Sequence, residues 1–195
     1  MIDTKAPPMD TLFSPVAGIA VDGRTALLFR VLAVAATALA ALLPLGMIGH
    51  WLTVAPDDLA QAMRMAPTAL GDLNAPLRLG AAGLSLLAVL PLSWGLVRVR
   101  ACFTEFAQGR PFVARGIAGL RDFAIGMGLS VVAKPVSAML LSILLSWNAP
   151  AGQRQLIIQF DSDTLIMALF AATIAALGWA MQKAAAIAEE NSQFV

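Results

Sequence analysis

The stretch Leu96–Gly128, LVRVRACFTEFAQGRPFVARGIAGLRDFAIGMG, places five arginines (Arg98, Arg100, Arg110, Arg115 and Arg121) between two long apolar runs that carry almost no charge. Lys and Arg are retained on the cytoplasmic side during membrane insertion, so a short basic connector between two such runs reads as a cytoplasmic loop. Within it, Phe103 and Phe106 share one helical face, and Gly109 with Pro111 supplies a stop. Glycine accepts the left-handed backbone that closes a helix, and proline cannot continue one. The second span is therefore expected to run past the bilayer to about Gln108. A new helix then restarts near Val113, making residues 98–122 a cytoplasmic helical hairpin.

Composition supports the membrane reading. The chain of 195 residues is 59% hydrophobic and 13% charged, with a mean hydropathy of +0.79, whereas soluble domains average about 45–50% apolar and about 25% charged. Backbone polar groups inside lipid must be satisfied internally, which leaves helices or a closed barrel. Apolar runs of helical length without period-two alternation select helices. The fold class expected is an all-α integral membrane bundle of four transmembrane helices. A net charge of +1 excludes general attraction to nucleic acid. The single cysteine, Cys102, cannot form an internal disulfide.

Working outward from the hairpin, residues 1–25 read as a flexible cytoplasmic tail and residues 26–191 as the membrane domain. Its spans lie at about 26–48, 79–97, 123–147 and 165–181, each near the roughly 17–25 residues that cross a bilayer. Lys5, Arg24, Arg30, the five hairpin arginines and Lys183 fall on one side, against Arg64, Arg78 and Arg154 on the other. That asymmetry places both termini in the cytoplasm. Trp51 and Trp147 are expected in an outer aromatic belt, and Trp94 and Trp179 in an inner one. In the first outer loop, Pro56–Ala66 has helix-start chemistry and suits a short helix on the interface, or alternatively a lid. In the second, LIIQF (residues 156–160) is too short for periodicity to decide its structure.

Chemistry-bearing groups are sparse. No phosphate-binding glycine loop, nucleophile triad or paired metal ligands can be read, so no catalytic, cofactor or metal residues are assigned. His50, the only histidine, reads as structural. Lys134 stands about halfway along the third span, where an insertion scale charges roughly 2.5–3.5 kcal/mol for a lysine, so it is expected to face protein. Its neighbour Pro135 leaves the Val131 carbonyl without a helical donor, on the side toward which the lysine stem leans. Thr37 and Thr173 fall at nearly the same depth, with Ser85 somewhat nearer the outside. These four residues form the expected midplane polar cluster, either tied up at a kinked helix or serving a ligand or ion.

The fourth span repeats a small residue at Ala168, Ala172, Ala176, Ala180, Ala184 and Ala188, a ridge that suits close helix packing within the chain or a homodimer. The first span has a shorter version around Ala36 and Ala40. Glu189 and Glu190 end the fourth helix where the macrodipole disfavours negative charge. They are expected either to meet Arg110, Arg115 or Arg121 or to be solvated. The hairpin arginines themselves, Arg98 and Arg100 included, either set orientation alone or also dock an acidic partner or anionic lipid heads.

Three segments, FTEFAQGRPF, GLRDFAIGMG and AAAIAEENSQFV, resemble in order the matching segments of a bacterial membrane family known as domain of unknown function 2975. The resemblance covers roughly Arg30 to Val195 and excludes the tail and outer loops. It implies a multi-pass inner-membrane protein without established enzymatic activity, whose members are often encoded beside a small helix-turn-helix regulator. The expected function is a non-enzymatic regulator or scaffold for a cytoplasmic protein. The alternative is a small transporter or channel subunit, which would need a polar path through the bundle.

Overall fold

Long apolar runs with few breakers make long helices, and the computed structural model, which describes residues 21–62, 73–147, 156 and 161–192, contains four. They are α1 (Gly23–Thr53), α3 (Ala75–Ala107), α4 (Ala114–Leu145) and α5 (Ser162–Ser192), with a short α2 (Pro56–Ala62) after α1. All four long helices are long and apolar enough to cross a bilayer. No strand occurs among the described residues. Each helix outruns its expected span because polar turns continue the helix beyond the apolar stretch. The tail (residues 1–20), Met63–Ala66 of the expected interfacial helix, and LIIQF apart from Leu156 lie outside the described residues.

The helices pack in sequence order as a four-helix bundle, with extensive contact between α1 and α3, α3 and α4, and α4 and α5. Most of their apolar surface points outward. Val34 is 70% exposed and Leu169 69%, a pattern that water would penalise and lipid tails accept.

Where helices meet, small residues make the seam. On α4, Gly116, Gly119, Asp122, Gly126, Ser130 and Ser137 are buried. A methyl group at Gly119 would stand 2.5 Å from the Arg98 carbonyl oxygen, and one at Gly126 would run into the Pro91 carbonyl oxygen. Such close approach is how helices gain dispersion contact in a medium with no hydrophobic drive between them. Ser130 Oγ donates to the Ala88 carbonyl and Ser137 Oγ to that of Leu84, at 2.8 Å in the second case. On α1, Ala33, Ala36 and Ala40 are the buried small residues, matching the shorter ridge expected there.

The α5 ridge is a correction. Ala172, Ala176, Ala180, Ala184 and Ala188 are exposed and Ala168 only half-buried, while Thr164, Ala171 and Gly178 are buried. Those three recur every seven residues, close to the 3.5-residue period that keeps a seam against an antiparallel neighbour. A four-residue ridge drifts away from that line.

The end opposite the hairpin is closed by a second network. Trp51 is 3% exposed, and its Nε1 donates to Ser85 Oγ at 2.7 Å. It therefore does not serve in an outer belt, whereas Trp94, Trp147 and Trp179 do point outward. His50 is exposed beside the Trp51 ring. Asn74 caps α3 by accepting from Leu77 N–H at 3.1 Å. Arg78 donates from Nη1 to the carbonyls of Trp51 (2.9 Å) and Val54 (3.0 Å), a cation closing the C-terminus of α1. Leu59 of α2 joins Trp51, Val54, Ala81, Ala82, Leu141 and Leu145 in one apolar cluster.

Candidate functional site at the hairpin end

The expected stop occurs where glycine chemistry demands it. α3 ends at Ala107 and Gly109 takes φ 71°. Gly109 N–H donates to the Phe106 carbonyl and Arg110 N–H to that of Glu105, both at 3.0 Å. These are the two bonds of a Schellman closure. α4 restarts at Ala114 after Val113. Phe106 meets Phe29 of α1 edge to face at 5.3 Å between ring centres. Phe103 and Phe106 also pack on the buried group of Ala36, Val99 and Cys102. The tip is therefore a defined turn braced by α1.

Asp122 and Glu105, both buried, organise the arginines. Arg98 Nη2 and Nε each lie 2.7 Å from Asp122 Oδ2, and Arg121 Nη2 lies 3.2 Å from Oδ1. Arg110 Nη2 stands 2.8 Å from Glu105 Oε2, although that oxygen accepts no well-directed hydrogen bond. The approach is one of charge and not of alignment. The acids that pair with the hairpin are thus its own, Asp122 and Glu105. Glu190 is exposed, and the Glu189 side chain lies outside the described residues. Of the three arginines expected to meet the end of α5, Arg110 and Arg121 lie instead against Glu105 and Asp122, Arg115 has no carboxylate partner among the described residues, and any contact of Glu189 lies outside those residues. Sequence reading missed both acids. The available signal was their position, Asp122 beside Arg121 and Glu105 midway between Arg100 and Arg110.

A cleft of about 600 Å³ opens between the ends of α3 and α4, lined on its polar side by Arg98, Arg100, Arg110 and Arg115 with Glu105 and Gln108. Arg121 stands apart from it. Arg100 and Arg115 have no carboxylate partner among the described residues, and no group of three His, Cys, Asp or Glu side chains converges there to hold a metal. The chemistry on offer is guanidinium recognition of a carboxylate or phosphate.

The expected midplane cluster does not assemble. Thr37 Oγ1 donates to Ala33 O at 2.9 Å and Thr173 Oγ1 to Leu169 O at 2.8 Å. Each threonine satisfies itself on its own helix, and α1 and α5 lie at opposite ends of the packing order. Ser85 is taken by Trp51. Lys134 instead lies 3.5 Å from Asp161, the residue that precedes α5. Thr164 and Ala168 share a groove with Val131 and Pro135, so Asp161 stands beyond Lys134 toward the loop end, opposite to the expected lean. The partner was missed because it lies outside every apolar run.

An asymmetry follows. Asp161→Ala leaves an ammonium in the apolar region and is expected to cost up to about 3 kcal/mol, whereas Lys134→Met removes the charge that needed a partner and should cost less than about 1 kcal/mol. Denaturant titration in micelles checks this. Equal losses would show that Asp161 does not offset the cost of the lysine charge.

The fold and site together define a multi-pass helical membrane protein with a basic cleft at one end. No family model, no curated protein and no solved structure matches this chain.

Proposed function

We propose that this is a non-enzymatic protein of the bacterial inner membrane, a regulator or scaffold that holds an acidic segment of a cytoplasmic protein in the hairpin cleft. The observation that carries it is the pair Arg100 and Arg115. They have no carboxylate partner among the described residues, in a cleft whose walls are set by the Asp122 and Glu105 pairings and by the Schellman turn. Preorganised guanidinium groups lose little freedom on binding an anion. The likeness of the hairpin to the domain of unknown function 2975 family points the same way and suggests a small helix-turn-helix regulator as partner. The transporter alternative has less support, since the buried Ser130 and Ser137 spend their hydroxyls on the Ala88 and Leu84 carbonyls of α3.

A photo-crosslinker at Ala118, which lines the cleft, tests the reading in native membranes. The expected product is one soluble protein, lost in the Arg100→Glu, Arg115→Glu double variant. Capture that persists in that variant would overturn it.

Orientation needs its own probe. Cys102 is 1% exposed, so its thiol is a poor reporter. Phe112, 49% exposed at the tip, is a better one. Phe112→Cys in a Cys102→Ala background is expected to resist an impermeant maleimide in intact cells and to react after permeabilisation. Labelling in intact cells would invert the map.

A further inference from the structure

A second groove, of about 830 Å³, runs between α1 and α3 at the hairpin end. Arg30 stands on one wall and Arg100 on the other, with Ala33, Val34, Ala38 and Ala41 along the floor. Neither arginine has a carboxylate partner among the described residues. Glu105, the nearest acid in sequence to Arg100, is turned to Arg110. The groove therefore carries two positive charges without a carboxylate partner among the described residues, Arg30 at its hairpin end and Arg100 on the antiparallel α3 at about the level of Ala36.

Its other end has the opposite character. From Val31 to Gly49 on α1, and from Leu79 to Val97 on α3, the chain has no charged residue. Arg30 adjoins the apolar stretch of α1, and Arg100 lies three residues past that of α3. Of its other polar lining, Thr37 spends its hydroxyl on Ala33 O and Thr104 its own on Arg100 O, while Gln108, at the hairpin end, accepts from Arg110. Beyond the arginines the groove offers dispersion contact alone. From Arg30 to Ala41 it extends about 16 Å at 1.5 Å per residue, close to half of the ~30 Å hydrocarbon core.

We infer that this groove holds one anionic phospholipid, its phosphate bridging Arg30 and Arg100 and one acyl chain lying along the small-residue floor through a single leaflet. Two guanidinium groups match a phosphate in charge and geometry. A floor of alanines leaves room for a chain where larger residues would fill the space. A soluble anion would use the arginines but gain nothing from the floor, and a zwitterionic lipid would leave the charge uncompensated. The inference shares Arg100 with the cleft proposed above and is told apart from it through Arg30, which lies outside that cleft, and Arg115, which lies outside the groove.

Native mass spectrometry of the full-length chain in detergent, titrated with phosphatidylglycerol or with phosphatidylcholine of the same chains, tests it. One phosphatidylglycerol per chain is expected to be retained, at least tenfold more tightly than phosphatidylcholine. Arg30→Gln should weaken retention about fivefold, the worth of one arginine at a charged lipid surface. Val34→Trp, at a position already outward-facing, should obstruct the floor and weaken retention without altering charge. Arg121→Gln, outside the groove, should change nothing. Equal retention of both lipids, displacement by millimolar inorganic phosphate, or indifference to Arg30→Gln and Val34→Trp would each overturn the proposal. Arg115→Glu separates the two readings, since it should abolish the protein crosslink and leave the lipid bound.

Discussion

Gly126→Ala is expected to lower the stability of the bundle by about 3 kcal/mol, the upper part of the range for overpacking a close-packed interior. The added methyl would collide with the Pro91 carbonyl oxygen and stand 3.1 Å from Gly95 Cα. Both obstacles are backbone, so neither can rotate away, and α3 and α4 must separate along the seam. Gly119→Ala meets the Arg98 carbonyl oxygen at 2.5 Å and the Cys102 amide nitrogen at 3.4 Å, and should act similarly. It offers a local readout, because Cys102 is 1% exposed and should react with a small maleimide many times faster once the helices part. Gly83→Ala is the control. Nothing lies within 4 Å of a methyl there, and replacing a helical glycine should stabilise by up to about 1 kcal/mol. Unchanged Cys102 protection in Gly119→Ala, with stability equal to that of Gly83→Ala, would show that the seam is looser than described.

Arg78→Met is expected to cost about 3 kcal/mol and to loosen the end opposite the hairpin. Besides the carbonyls of Trp51 and Val54, its Nε lies 3.3 Å from the Leu73 carbonyl oxygen. One guanidinium thus ties the end of α1 to the start of α3. Hydrogen bonds to a charged group are worth roughly 1.5–3 kcal/mol each, and carbonyls left without a partner in a half-buried site add to the loss. Arg78→Lys should recover only part, since an ammonium cannot span diverging acceptors as a planar fork does. Thermal unfolding in micelles, with fluorescence of the Trp51 indole that Ser85 holds, would follow the change. Full recovery by lysine would reduce Arg78 to a point charge at a helix terminus.

Arg78 also shows why charge counting is incomplete. In the sequence it is one of the few basic residues set against the prevailing asymmetry, and in the fold it caps α1. Asp122 is similar. As a letter it sits beside Arg121 in a basic connector, and only the pairing of α3 with α4 brings Arg98 to it from 24 residues away. Lys134 was recognisable as a charge needing a partner, but Asp161 lies in a polar segment whose distance from α4 no periodicity encodes.

The sequence by itself determined the helical class, the four apolar runs and the hairpin. Each rests on a local quantity: run length against bilayer thickness, or the left-handed preference of one glycine before a proline. Tertiary structure alone decided which faces meet. Sequential packing of α1, α3, α4 and α5 set Thr37 and Thr173 too far apart to cluster. It also turned the alanine ridge of α5 outward, and among the described residues it left Arg30, Arg100 and Arg115 without acids while Asp122 and Glu105 took their neighbours. The reason is that in lipid every face of an apolar helix is equally content. The choice of seam therefore falls to close backbone approach at Gly119 and Gly126 and to hydroxyl and guanidinium bonds across helices, which exist only once two helices are side by side.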